Sequence, residues 1–294
     1  MVSRPLGKTS VPRRRITPKH AQWAALVVVW AGGVFTVLTM LVVVGYVMVQ
    51  GLPHISWSFL TTAPVGGMAG EGGISSVIVS TLYLIGLTLT ILVPLGLGAA
   101  IYLAEYAADN RLTHLIRYAI EMLAGVPSII FGLFGFALFV MVLNFNFSIM
   151  AGALTLVCLL LPTLIRTSEE ALKTVPRGHR DASLALGATK WQTIWRVVLP
   201  GALPGIITGV ILCMGRAIGE TACLYVTMGG AAGMPDSLFS SGRTLSLHVF
   251  YLAMETNAFE KAMATGAVLI LIIIVINTIT NRLSHRFRAK MSGG

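Results

Sequence analysis

The chain has 294 residues, 55% of them hydrophobic and only 11% charged, with a formal net charge of +10. A soluble globular domain carries about 25% charged residues, and a mean hydropathy of +0.83 lies far on the apolar side, so a soluble enzyme is excluded. The three cysteines, Cys158, Cys213 and Cys223, all fall in apolar runs without metal-ligand spacing and imply no disulfide framework.

In chain order, residues 1–21 form a basic, proline-containing tail, expected to be disordered or to lie on anionic headgroups. A spanning helix needs roughly 20 mostly apolar residues. Six runs qualify: 22–49, 75–103, 118–143, 149–165, 201–228 and 262–281. The first is too long for a cleavable leader and lacks a small-residue cleavage site, so it reads as retained. It also looks appended, within a segment 22–71, to a core over 72–281, and a tail follows at 282–294. The loop 51–74 is rich in Gly, Pro, Ser and Thr and offers Trp57 and Phe59 as interface anchors. The longest loop, 229–260, carries Asp236, Arg243, His248 and Glu255 and has room for a short amphipathic helix. Pro94, Pro127, Pro162 and Pro204 lie in or near spans, where each removes a backbone donor and favours a kink. No internal repeat is visible.

Eighteen of the 21 Lys and Arg residues fall in the N-terminal tail, 104–118, 166–200 and the C-terminal tail, all on one side of this topology. Cationic loops stay cytoplasmic, so both termini are expected there. That bias accounts for the net charge and leaves no reason to invoke nucleic acid.

Catalytic motifs are missing. Gly7-Lys8-Thr9 resembles the end of a phosphate-binding loop, but Val2 replaces the first glycine and no strand precedes it. Any ATPase that drives the chain is therefore expected to be another polypeptide.

The most informative segment is 181–200, DASLALGATKWQTIWRVVLP. Asp181, two small residues (Ala182, Ser183), Gly187 with Ala188, and Leu199-Pro200 follow the spacing of the "EAA" loop. A second register beginning at Glu170 fails, because Pro176 stands where glycine is needed. Leu184, Ala188, Trp191, Trp195 and Val198 recur at spacings of one helical face. Gly187 is expected to split the segment and Pro200 to end it. One reading is an interfacial helix lying on lipid; the other is a lever gripped by a partner.

In the fifth run, Gly201, Gly205 and Gly209 form one small-residue stripe and Gly215 and Gly219 another, which lets helices approach closely. Arg216 and Glu220 stand four apart, a spacing that pairs side chains on one helix. Charges in a span are costly and face cavities or partners. The two therefore read either as a self-neutralising structural pair or as an anion path, with the Arg216 fork suited to phosphate-like oxyanions. Glu121, near Pro127, is either a favourable charge at a helix start or part of a gate.

The strings GGISSVIVSTLYLIGLTLTILVPLGLGAAIYLAEYA, IEMLAGVPSIIFGLFGFALFV, LPTLIRTSEEALKTVPRGHRDASLALGATKWQTIWRVVLPGALPGIITGVIL and GRAIGETA resemble the permease subunits of bacterial phosphate (Pst) ABC importers, over about 72–281. TLYL and RTSEEALKTVP favour the A type (PstA) over the C type. The resemblance implies an all-α membrane protein with six transmembrane helices in the type I (MetI-like) importer fold. It implies a C-type permease as partner, a cytoplasmic ATPase dimer that grips the EAA segment, and an extracytoplasmic phosphate-binding protein. ATP and magnesium are expected on the ATPase, with no cofactor or metal on this chain. It marks Arg216 and Glu220 as translocation residues. Asp181, Ser183 and Val197 replace the usual Glu, Ala and Ile while keeping charge, size and apolarity. Another tetrahedral oxyanion, sulfate or molybdate, remains an alternative cargo. An ion-coupled secondary transporter would need a midplane coupling site and visible repeats; a scaffold would not need Arg216 and Glu220.

Overall fold

The computed structural model describes residues 18–65 and 71–292. The basic tail with Gly7-Lys8-Thr9 lies outside the described residues, as do the side chains of Arg286, Arg288 and Lys290. The chain divides into a unit ending at Tyr46 and a second from Val47 onward. The first is the leading part of helix α1 (Pro18–Gly51), apolar on all sides as a lipid-facing span must be.

The second unit begins with the end of α1, a 3-10 turn (Leu52–His54), α2 (Trp57–Thr61) and a two-stranded antiparallel hairpin, β1 (Pro64–Val65) with β2 (Glu71–Gly72). Of the two expected loop anchors, Trp57 is exposed whereas Phe59 packs with Ile74, Val77 and Leu245. Helix α3 (Ser75–Ile101) closes on a π-helical turn, Tyr102–Tyr106. Helices α4 (Arg111–Ala124) and α5 (Ser128–Gly135, prolonged by a π-helical stretch to Val142) follow. Next come α6 (Ile149–Lys173), α7 (Arg177–Ala185), α8 (Lys190–Thr193), a π-helical turn (Ile194–Val198), α9 (Leu199–Gly219), α10 (Ala222–Tyr225), α11 (Leu245–Met254) and α12 (Phe259–Ser292). Among the described residues five helices are long and apolar enough to span, and the α4–α5 pair makes a sixth if it counts as one broken span.

The core forms around α6, which packs on α3 and α9. Leu156, Leu160 and Leu164 of α6 meet Leu84 and Leu92 of α3 and Cys213 and Ala217 of α9. A second cluster joins Leu172 and Val175 to Ala100, Val198, Leu199, Ala202 and Ile206 at the end that carries α7. The stripe Gly201, Gly205, Gly209 faces α6: a Cβ on Gly205 would stand 2.6 Å from Ala171 Cβ, and one on Gly209 2.4 Å from Thr167 Oγ1. Gly215 and Gly219 meet nothing within 4 Å, so the second stripe closes no contact inside this chain.

Three expectations on the spans are corrected. The third run is not one helix over 118–143. It bends by 103° between α4 and α5 at Gly125-Val126-Pro127, because Pro127 has no N–H and steers Val126 away from helical backbone. α4 is amphipathic, and residues 128–142 give roughly 22 Å of helix at 1.5 Å per residue, shorter than the hydrocarbon core. The fifth span leaves helical geometry after Gly219 instead of running to 228, and its helix starts back at Lys190. Pro200 therefore does not end the segment. It sits in the first turn of α9, behind the wide turn Ile194–Val198, where its missing N–H costs little. Pro94, Pro162 and Pro204 lie inside continuous helices. The helix in the long loop, α11, is half buried and apolar on most of its surface, not amphipathic.

Candidate functional site

The segment 181–200 is built as a hinge. Gly187 has φ +85, a left-handed backbone that costs an L-residue about 1–2 kcal/mol. It separates α7 from α8, as the sequence implies. Thr189 starts α8 with a capping box: Gln192 Oε1 accepts from Thr189 N at 2.9 Å and Thr189 Oγ1 from Gln192 N. Ser183 and Thr193 share a hydroxyl hydrogen bond of 2.9 Å across the hinge. The expected single apolar face is thus divided between two helices. Leu184, Leu186, Trp191 and Trp195 are all exposed, Leu186 at 90%, whereas Val198 is buried. Asp181, Ala182 and Gly187 are exposed and Ala188 is half-buried. Leu199 and Pro200 lie apart from them, in the first turn of α9, with Leu199 in the core.

Charged residues that the sequence registers only as side bias form specific pairs here. Arg180 Nε and Nη2 donate to Glu105 Oε1 at 3.1 and 2.8 Å, and the same guanidinium donates to the carbonyls of Leu172, at 2.9 Å, and Val175. Buried Glu169 accepts from Arg117 at 2.9 Å and lies 2.6 Å from Lys173. Arg166 reaches Glu121 and Glu170, each at 3.2 Å. Glu121 is therefore tied across α4 to α6, close to the Pro127 bend, along a cleft of about 160 Å³ that also touches Arg117, Glu169 and Lys173. All sides of the Arg166 network are exposed, so water and salt screen each pair and none of them anchors the fold.

At the opposite end of α9 the structure separates Arg216 from Glu220. Arg216 is exposed in the last helical turn; Glu220 is half-buried and extended, with ψ 132. Spacing of four pairs side chains only while the helix continues, and it stops at Gly219, so no ion pair joins the two among the described residues. Glu220 is instead held through its backbone: Ser246 Oγ of α11 donates to its carbonyl at 2.7 Å.

Beside this lies a knot that the sequence does not reveal. Arg243 is buried, donates to the Gly230 carbonyl at 2.7 Å and covers the Tyr251 ring at 4.3 Å. Its Nη1 is 3.3 Å from His248 Nδ1, which must accept, because arginine only donates. Burial, and then the Arg243 charge, push His248 down from 6.5 to about 4. The sign follows: between those values the unfolded chain binds a proton that the folded chain refuses, so stability is full above 6.5 and falls towards pH 4. The native protein is expected to lose about 3 kcal/mol more than His248→Gln between pH 7 and 4. Melting of the detergent-solubilised proteins against pH checks this; parallel curves would refute it.

Residues 93–293 match the family model described as binding-protein-dependent transport system inner membrane component. A probable ABC transporter permease, YqgI of Bacillus subtilis, is 33% identical over 248 residues, covering 79% of this chain and 84% of that protein. The phosphate transport system permease protein PstA 1 of Mycobacterium tuberculosis is 35% identical over 210 residues, 70% of this chain and 68% of its own. The PstA of Yersinia pestis is 33% identical over 252 residues, covering 86% and 85%. Among solved structures, a chain of a bacterial alginate ABC transporter, in complex with its pentasaccharide-bound periplasmic protein, superposes with a TM-score of 0.67 at 15% identity over 93% of this chain and 98% of that one. A chain of the inward-facing MetNI methionine transporter gives 0.58 at 20% identity over 73% and 94%. The fold is that of a type I, MetI-like ABC importer permease.

Proposed function

Because this chain belongs to the family of binding-protein-dependent transport system inner membrane components, we propose that it is the A-type permease subunit of an ABC importer that carries inorganic phosphate into the cell. Phosphate is taken from the names of the Mycobacterium tuberculosis and Yersinia pestis relatives. Both termini and α7 lie on the cytoplasmic side, where the cationic loops belong. A C-type permease completes the path, and an extracytoplasmic phosphate-binding protein supplies the anion. A cytoplasmic ATPase dimer, which holds the ATP and magnesium, drives the cycle.

The observation that carries this reading is the hinge at Gly187. It leaves Leu184 of α7, Leu186 just after it, Trp191 of α8 and Trp195 of the following π-helical turn all exposed, next to an α7 that buries none of its residues. Exposed apolar side chains in such a cluster mark a docking surface, and the Asp181-to-Pro200 spacing resembles that of the EAA loop by which importer permeases dock on their ATPase. Arg216 supplies the anion contact. Its fork is exposed and has no carboxylate partner among the described residues, so it can offer paired donors to a passing oxyanion. The test is uptake by phosphate-limited cells that lack the gene. High-affinity phosphate uptake is expected to vanish and to return with the gene, with sulfate and molybdate uptake unchanged. Undiminished phosphate uptake, or loss of sulfate or molybdate uptake instead, would overturn the assignment.

A further inference from the structure

We propose that the Arg180–Glu105 ion pair is the joint through which the docking segment moves α3; this rests on the ATPase-coupling reading above and names the residues that transmit the motion. α7 contains no buried residue. A push or pull on it reaches the bundle only through its chain ends and through side chains that reach inward. Two α7 side chains do so: Ser183 bonds the buried Thr193 in α8, at the foot of α9, and Arg180 reaches α3, its side chain 18% exposed and that of Glu105 10%. One guanidinium ties α7 to two other elements. It donates twice to Glu105 on the π-helical turn that closes α3, and to the carbonyls of Leu172, in the last turn of α6, and Val175, in the link that follows. A second contact points the same way: the Lys190 ammonium of α8 lies 4.7 Å from the centre of the Tyr106 ring, next to Glu105.

From Glu105, α3 runs as one helix to the other end of the bundle. There Thr81 Oγ1 accepts from Leu245 N at 3.0 Å, at the start of α11. The next residue, Ser246, donates to the Glu220 carbonyl. The chain of contacts therefore runs from the docking segment through Arg180, Glu105 and α3 to α11 and Glu220. Arg180 and Glu105 are positioning residues, and neither touches the transported anion. Spatial continuity alone does not establish coupling, so the readout has to be the coupling itself.

The experiment uses the whole importer, purified with its ATPase and reconstituted in liposomes with its binding protein. It measures phosphate transported per ATP hydrolysed. In Glu105→Gln the ATPase is expected to co-purify at native yield and to hydrolyse ATP, while phosphate moved per ATP falls at least about fivefold, the lower range of coupling between sites. Glu105→Asp, which keeps the charge on a shorter stem, is expected to fall between that variant and the native protein. An unchanged ratio overturns the proposal, including the case where transport and hydrolysis fall together, as a merely structural pair would produce. If Glu105→Gln does not assemble, Glu105→Asp decides by the same ratio; failure of both to assemble assigns the pair to assembly and also overturns it. If the native chain brings down no ATPase, the coupling reading itself has failed, and this is distinct from an unchanged ratio.

Discussion

Arg216→Gln is expected to cut phosphate uptake by the assembled importer to background while leaving the chain in the membrane at native level. The two halves of that result have separate physical causes. Among the described residues Arg216 makes no ion pair, and it is exposed, so its replacement breaks no ion pair there. A lone cation in an apolar span costs about 2.5–3.5 kcal/mol on insertion scales, so a neutral replacement does not hinder insertion. Transport is different. A charge-assisted fork that binds an oxyanion in a dry path contributes several kcal/mol, and losing one partner of such a pair costs about 2–5 kcal/mol, roughly 30-fold to 4,000-fold. Arg216→Lys, which keeps the charge but loses the planar fork, is expected to retain a small part of the uptake. Full uptake by Arg216→Gln would remove Arg216 from the path.

Gly209→Leu is expected to destabilise the folded chain by about 1–3 kcal/mol or more, the cost of overpacking a close helix contact. The added Cβ would sit 2.4 Å from Thr167 Oγ1 and 3.1 Å from Thr167 Cβ. Thr167 cannot yield cheaply. Its hydroxyl already donates to the Thr163 carbonyl, at 2.9 Å, in the turn made by Pro162's helix, and to that of Leu164. α9 would have to move off α6, and the Leu199, Ala202 and Ile206 cluster would open with it. Gly215→Leu is the matched control, because nothing lies within 4 Å of Gly215. Thermal unfolding of the two solubilised variants should show a loss for the first and none for the second. Because leucine favours a helix more than glycine does, equal losses would mean that something other than the α6–α9 contact sets the cost.

Much of the architecture is legible in local chemistry. The apolar runs locate the spans, because lipid demands continuous backbone pairing. Gly187 marks the hinge, because it stands alone in an otherwise helical pattern and takes a backbone that other residues resist. The stripe from Gly201 to Gly209 marks a close contact, though its partner, α6, is not visible in spacing. Where local rules were carried too far, they failed. The Arg216–Glu220 spacing implies a pair only if the helix survives to residue 220, and Gly219 ends it first. Pro127 lies within an apolar run, so the run reads as one span although the chain turns by 103° there. The pairs Arg180–Glu105, Arg117–Glu169 and Arg166–Glu121 join residues 75, 52 and 45 apart. Nothing in the sequence tells which cation on a cationic side meets which carboxylate, since that depends on how α3, α4, α6 and α7 converge. The Arg243–His248 contact is hidden for a related reason: a loop histidine and arginine look solvated until α11 buries them.

The central claim is that this permease is driven by a separate ATPase that docks on the hinge around Gly187. Affinity purification of the tagged chain from native membranes in mild detergent tests it most directly, with Gly187→Glu as the control. Gly187 has open space around it, so glutamate there meets no internal clash and pays only the modest strain of φ +85. The native chain should bring down an ATPase with a phosphate-binding loop, and the variant, folded and inserted, should not. Recovery of no ATPase with the native chain, or equal recovery with Gly187→Glu, would contradict the account.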